Sequence, residues 1–227
     1  MCRARSIFSF LCRFVIVFGL LVAPWPGWPE TYAQCLQKSA TAVYGSFGSN
    51  GIVTFTRTPE DTPADIKKFH TVFDTIIYVA NWKQLDASLG GQVWWSSFSS
   101  RTMAYLPTAL VITLILATGI SWRRRFWALV WGLVWIHVFI AFLLGLMIVA
   151  LICAHPQLGL FEVSPFWQKA VSLLREFFLN RVGTPLATAV PIWMVVTFRR
   201  DDWIHILGQK KADAGQRWKS PTTRNAR

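Results

Sequence analysis

Histidine is the side chain best suited to acid–base chemistry near neutral pH. Of the four in this sequence, His137 stands out because it lies in residues 126–153, a run without Asp, Glu, Lys or Arg. An ionisable group in such a run is a functional candidate by default. We favour a structural interpretation, a neutral imidazole bonded to a neighbouring carbonyl or threonine, because no acidic partner occurs in any predicted span. The other histidines are scattered: His70, His155 and His205.

Carboxylates and hydroxyls form no recognisable catalytic pattern. The chain has no Walker A sequence, HExxH, CxxC or GxSxG. A membrane enzyme with its site in residues 34–101 would need His70 or a nearby carboxylate as an indispensable group. We therefore predict a protein that is not an enzyme and has no cofactor or metal. The side chains left as solvated surface are Asp65, Asp74, Asp86, Ser96, Ser97, Ser99 and Ser100.

Long apolar runs dominate the organisation of the chain. Residues 103–121 and 126–153 are two such runs, separated by a basic turn at Trp122–Arg125. A membrane-spanning helix needs about 20 apolar residues, and cytosolic loops carry an excess of Lys and Arg. The topology-determining residues are then Arg123, Arg124 and Arg125 in the turn and Arg199 and Arg200 after a last run.

The pattern predicts an α-helical polytopic membrane protein with four transmembrane helices, both termini inside, and a small extracytoplasmic α+β domain. Cleavage after Ala33 is an alternative to a retained first helix. The segments are a signal anchor and first transmembrane helix at 1–24, the extracytoplasmic domain at 25–102, helices two and three at 103–121 and 126–153, a loop with an amphipathic helix at 154–182, helix four at 183–198, and a basic cytoplasmic tail at 199–227.

Within the two outside regions, local patterns predict individual elements. A short helix is expected over residues 34–44 and strands over 51–58 and 72–82, with a loop at 90–101. Ser164-Pro165 predicts the start of the amphipathic helix, with the serine hydroxyl as cap.

The formal net charge of +12 falls mostly in segments predicted to be cytosolic. Membrane topology therefore accounts for the basic residues, and nucleic-acid binding is not needed. The expected location is the inner membrane of a bacterium, as a multi-pass protein. Cys35 and Cys153 could form a disulfide on the outside, but two free thiols are the simpler expectation.

Small and aromatic residues define the candidate interaction faces. Ala109, Thr113, Ala117 and Ser121 recur every fourth residue, as do the pairs Ala128/Gly132 and Ala141/Gly145, which favours close helix packing. Trp127, Trp131 and Trp135 share one face, either as a docking surface for another membrane protein or as a lipid-facing girdle. Pro185 and Pro191 would kink the last helix beside Trp193.

The layout resembles bacterial membrane proteins associated with exosortases, in particular the exosortase H-associated type. The resemblance lies in Pro107–Leu110, Leu114–Thr118, the basic turn with a following Gly132, Pro185, and Pro191–Trp193. It implies an accessory protein that acts beside a membrane protease-transpeptidase and lacks that enzyme's catalytic cysteine, arginine and histidine.

We expect a non-catalytic membrane accessory protein, with the lipid bilayer and another membrane protein, such as an exosortase, as partners. The alternative is a small transporter or channel subunit whose path runs near His137 and the Pro185/Pro191 kink.

Overall fold

The two central apolar runs fold as neighbouring helices in the computed structural model, which describes residues 2–23, 27–47, 50–57, 74–83, 93–161, 163–179 and 183–198. The helices are α1 Cys2–Val22, α2 Trp28–Tyr44, α3 Leu106–Ala117, α4 Trp122–Ala154, α5 Pro165–Phe178 and α6 Thr184–Thr197. The strands are β1 Ser46–Phe47, β2 Gly51–Arg57, β3 Thr75–Asn81 and β4 Val93–Phe98.

Helix α3 lies at the centre of the helical part and packs against α1, α4 and α6. A π-helical turn, Arg101–Tyr105, leads directly into it. Its side chains are apolar on all sides, which is typical of a helix surrounded by neighbours. Ala109, Thr113 and Ala117 are all buried, so the predicted small-residue stripe is a packing surface.

Close approach between α3 and α4 depends on Gly132. A Cβ atom at that position would lie 2.8 Å from Cδ1 of Ile115 and 3.1 Å from Cγ1 of Val111. Gly145 serves a different neighbour, because its Cβ would lie 3.2 Å from the hydroxyl of Tyr44 in α2. The predicted helical hairpin therefore packs through Ala128 and Gly132, whereas Gly145 receives α2.

The prediction of four transmembrane helices is wrong. Among the described residues, α4, with 33 residues, is the one helix long and apolar enough to cross a membrane. At 1.5 Å per residue it is about 50 Å long, more than the hydrocarbon thickness of about 30 Å. The shorter apolar helical segments are Ile7–Val22 within α1, Arg101–Ala117, which joins the π-helical turn to α3, and Thr184–Thr197. With 10–17 residues, they fall short of the roughly 20 that a span needs.

The bounds of three predicted helices differ from those in the structure. The run at 103–121 leaves the helix at Thr118, whose backbone is extended, so residues 118–121 form the connection to α4. The basic turn predicted at Trp122–Arg125 is instead the first turn of α4. The last helix begins only at Thr184 and ends at Thr197.

The outer strands form an antiparallel sheet with the order β1-β2-β3-β4. Strand β2 alternates between buried and exposed residues, and β3 is buried almost throughout. Residues 51–57 agree with the predicted strand, whereas the loop expected at 90–101 contains β4, whose Phe98 pairs with Thr75. The helix that was expected to begin at Gln34 begins at Trp28.

One hydrophobic core joins the sheet to the helices. Val53, Ile77 and Phe98 from the sheet belong to the same buried cluster as Leu143 and Ile148 of α4. The side-chain amide of Asn81 also donates to the carbonyl of Leu158, at 2.8 Å, beyond the end of α4. The sheet is therefore fixed against the C-terminal half of α4.

Helix α5 begins at Pro165 and is strongly amphipathic, as its sequence predicts. Ser164 occupies the N-cap position, but its hydroxyl makes no capping hydrogen bond. Val171 packs against Leu146 and Ala150 of α4, while Phe166, Trp167, Leu173 and Phe177 are exposed.

Candidate functional site

The predicted tryptophan face forms one wall of a groove between α4 and α6. Trp127, Trp131 and Trp135 follow one another at i, i+4 spacing and are each about half exposed. Val195 and Val196 of α6 form the facing wall. The groove has a volume of about 740 Å³, and Ser121, Arg123 and Arg124 lie at one end. We call it the tryptophan groove.

Packing on the adjacent face of α4 determines where the tryptophans point. Ala128, Gly132 and Ile136 are buried, and each follows a groove tryptophan by one position. One helical step rotates a side chain by about 100°, so burial of this row leaves the tryptophans on the rim. This buried row thus positions the aromatic face, and its Ala128 also lines the groove.

The predicted topology-determining arginines bind the ends of two helices. Arg124 donates from Nη2 to the carbonyl of Thr197, at 2.7 Å, where α6 ends. Arg125 donates from Nη2 to the carbonyls of Thr118, at 3.1 Å, and Ile120, at 3.3 Å, where α3 ends. Its guanidinium also lies over the ring of Trp122, 5.7 Å from the centroid. Arg199 and Arg200 are outside the described residues.

His137 is exposed and bonded within its own helix. Its Nδ1 lies 2.8 Å from the carbonyl oxygen of Leu133, one turn earlier. Pro191 is exposed in α6, while Pro185 is buried and lines a cavity at the other end of the bundle. His137 lines neither that cavity nor the tryptophan groove.

Trp193 has a packing role in the described structure. Its Nε1 donates to Oγ1 of Thr118 at 3.0 Å. Its ring lies 6.4 Å from that of Phe10 in α1 and 5.6 Å from that of Phe198. Trp193 therefore connects α1, α3 and α6 at the end of the bundle that holds the arginines.

Asp74, one of the outer carboxylates, accepts hydrogen bonds that connect the sheet to the helices. It accepts from the backbone N–H of Ser100, at 2.7 Å, and from the Ser100 hydroxyl. The hydroxyl of Thr75 also donates to Asp74, at 3.3 Å, and the amide of Gln37 in α2 donates to Thr75, at 3.0 Å. Asp65, His70 and Asp86 are outside the described residues, as is His205.

A second concave site, with a volume of about 490 Å³, lies between β4, α4 and α5. We call it the sheet-side cavity. Its apolar lining comes mainly from α4 and α5. Ser96, Ser97 and Ser99 line the sheet side, and His155 and Arg175 line it from beyond α4 and from α5. The imidazole of His155 stacks on Trp94, with 3.6 Å between the ring centroids.

The serines were predicted to be solvated surface in a loop at residues 90–101, and the cavity was not predicted. The strand-forming composition of Val93-Trp94-Trp95 is the signal that could have located it, because it places the following serines on a sheet edge beside α4.

Two tyrosines of α2 form hydrogen bonds with α3 and α4. Tyr44 donates its hydroxyl to the carbonyl of Ala141, at 2.7 Å, and burial raises the pKa of its phenol. Burial also raises the pKa of Tyr32. A hydrogen bond with Thr108 lowers that pKa, the neighbouring Tyr105 raises it further, and the net shift is upward. The Tyr105 hydroxyl itself donates to the carbonyl of Leu21.

No group of three or more His, Cys, Asp or Glu side chains suited to a metal ion occurs among the described residues. Cys35 and Cys153 are both free thiols. In comparisons with known proteins, no family model, curated protein or solved structure matches the chain.

Proposed function

We propose that this protein is a non-catalytic accessory subunit of the bacterial inner membrane. In this proposal α4 holds the chain in the bilayer, and the tryptophan groove receives an apolar helix of another membrane protein. The observation that carries the proposal is the exposed aromatic wall of α4, three tryptophans beside the valines of α6.

The exposed surface of α4 supports the membrane part of the proposal. In its most apolar 18-residue window, 44% of the residues are buried. Exposed large side chains include Phe126, Val134 and Val138 as well as the groove tryptophans. Contiguous apolar surface of this kind marks protein or membrane contacts, since water solvates it poorly.

The form of the groove supports a protein helix as its occupant. A groove between two helices can accept a third by side-chain packing, and aromatic anchors dominate many protein interfaces. Arg123 at one end offers a cation to an acidic residue or a C-terminal carboxylate of the partner. Membrane lipid is the competing occupant of the same surface.

The resemblance to exosortase-associated proteins suggests the kind of partner, a membrane enzyme that processes surface proteins. On this hypothesis the accessory chain contributes contacts rather than catalytic groups. The competing hypothesis, a transporter or channel subunit, is less well supported because His137 is bonded to its own helix and does not line the cavity that contains Pro185.

Site-specific photo-crosslinking in the native host tests the proposal. A photoreactive phenylalanine analogue at position 131 should crosslink to one defined membrane protein, identified by mass spectrometry. The matched control carries the analogue at position 167, where Trp167 is also exposed but lies on α5, away from the groove. The triple variant Trp127→Ala, Trp131→Ala, Trp135→Ala should lose co-purification of the same protein.

Crosslinks from position 131 to lipid alone, or to a second copy of this chain, would contradict the proposal. So would equal recovery of the partner with the triple variant and with Trp167→Ala.

A further inference from the structure

We propose that the sheet-side cavity binds a single acyl chain that carries an anionic headgroup. This inference does not depend on the proposed function. Residues of α4 from Leu143 onward contribute to the cavity, whereas the tryptophan groove uses Trp127–Trp135. The volume of about 490 Å³ falls within the usual range for small-molecule sites, roughly 300–1,000 Å³.

The apolar part of the cavity suits a hydrocarbon chain. Leu143, Met147 and Leu151 lie at i, i+4 spacing along α4, and Phe178 and Leu179 close the side formed by α5. Methionine is unbranched and adapts to an irregular apolar ligand. A chain lying along this face of α4 would bury methylene groups that water otherwise solvates at a cost.

The polar part of the cavity suits an anion. Ser96, Ser97 and Ser99 offer hydroxyl donors, and Arg175 offers a guanidinium that can bind a carboxylate or phosphate through two parallel hydrogen bonds. None of the lining residues that the structure describes is acidic. Stacking on Trp94 holds the imidazole of His155 at the same rim, where it can donate a further hydrogen bond.

The combination of the two parts selects the ligand class. A cationic amphiphile would face Arg175 without a counter-charge, and a small inorganic anion would leave the apolar wall unfilled. A fatty acid and a lysophospholipid share the required chemistry, one acyl chain with a carboxylate or a phosphate. Exposed apolar residues of α5, such as Leu174 and Phe177, lie close to the cavity-lining Arg175 and Phe178 along the same helix.

Equilibrium binding of radiolabelled palmitate to the full-length protein in phosphatidylcholine nanodiscs tests the inference, with empty nanodiscs subtracted. We expect saturable binding. Arg175→Gln should weaken it by about tenfold or more, since hydrogen bonds to charged groups contribute roughly 1.5–3 kcal/mol. Ala154→Trp should also weaken binding, because Ala154 lines the cavity and is exposed, so the larger ring can enter it without disturbing the core.

Lys169→Gln is the matched control, because it removes one positive charge from an exposed position of the same helix that does not line the cavity. Its palmitate affinity should stay within about twofold of the wild-type value, less than 1 kcal/mol. Hexadecyltrimethylammonium, which has the same chain length and the opposite charge, should not displace palmitate.

Lysophosphatidate as a competitor distinguishes the sources of the chain. If lysophosphatidate displaces radiolabelled palmitate more strongly than unlabelled palmitate does, the ligand is a lysophospholipid. If it displaces it more weakly, the ligand is a free fatty acid. Absence of saturable binding above empty nanodiscs would overturn the inference. It would also fail if Arg175→Gln and Lys169→Gln bound palmitate equally, or if the cationic amphiphile competed.

Discussion

At the scale of single residues, Arg124 and Arg125 show how one basic cluster stabilises several helices. Both lie in the first turn of α4, where the helix dipole disfavours positive charge. They donate instead to the carbonyl of Thr197, the last residue of α6, and to that of Thr118, the residue after the end of α3. Carbonyls at a helix end have no donor within the helix. The two guanidinium groups thus lie at the C-terminal ends of the neighbouring helices, where the helix dipole favours positive charge.

Replacing Arg124 or Arg125 with Gln should lower the free energy of unfolding by about 1.5–3 kcal/mol, the usual contribution of a hydrogen bond to a charged group. The reason is that the carbonyls of Thr197 or of Thr118 and Ile120 lose their charged donor. Thermal unfolding in mild detergent measures the change. Arg123→Gln is the matched control, since Arg123 is exposed at the groove. Equal destabilisation by all three variants would contradict the capping role.

Substituting His137 with Phe should leave abundance, stability and partner binding nearly unchanged, within about 0.5 kcal/mol for stability. The side chain is exposed, and its hydrogen bond to Leu133 remains within one helix. Quantitative membrane-fraction immunoblotting and the crosslinking assay measure the outcome. Loss of function with normal insertion would instead favour a path for protons or ions at His137.

Raising the pH above 10 should destabilise the wild-type protein more than Tyr32→Phe. The folded state raises the pKa of Tyr32 above its ordinary value of about 10. As the pH rises, the unfolded chain therefore loses the Tyr32 proton before the folded protein does. The stability that the protonated Tyr32 contributes is complete below about pH 10 and declines as the pH rises through the folded-state pKa. Melting temperatures from pH 8 to 11 check this, and parallel curves for the two proteins would refute it.

At the scale of elements, the packing of α4 against α3 depends on the missing side chain at position 132. Gly132→Val should lower stability by about 1–3 kcal/mol, because the added atoms meet Ile115 and Val111, which are completely buried. Gly19→Val in α1 is the control, since beyond its chain neighbours and the backbone of its own helix no atom lies within 4 Å of a Cβ at that position. Comparable melting temperatures for the two variants would mean that α3 and α4 can move apart to accept a side chain at position 132, which would contradict this prediction.

At the scale of the whole molecule, membrane association should depend on α4. Val138→Arg places a charge on an exposed position in the middle of α4, which costs about 2.5–3.5 kcal/mol for a central position in a membrane helix. We expect a larger fraction of the protein to be released by alkaline carbonate. Ile52→Arg, on the exposed face of β2, is the control and should stay in the membrane fraction. Equal extraction of both variants would count against α4 as the anchor.

The sequence alone determined the features that depend on neighbouring residues. Charge-free apolar composition identified residues 126–153 as a long apolar helix, Ser164-Pro165 located the start of α5, and the alternation at Ile52–Phe55 located β2. The same reasoning placed the tryptophans on one face. These features follow from helix and strand periodicity, which is local.

Only the tertiary structure decided where the apolar runs stop being helical and which distant groups meet. Thr118 ends α3 within an apolar run, and its carbonyl is bound by Arg125 from the next helix. Ser99 and Arg175 line one cavity although they are far apart in the chain. Hydropathy counts apolar residues without regard to backbone conformation, and a cavity depends on the packing of separate elements. Neither the end of α3 within its apolar run nor the sheet-side cavity could therefore be predicted from local pattern.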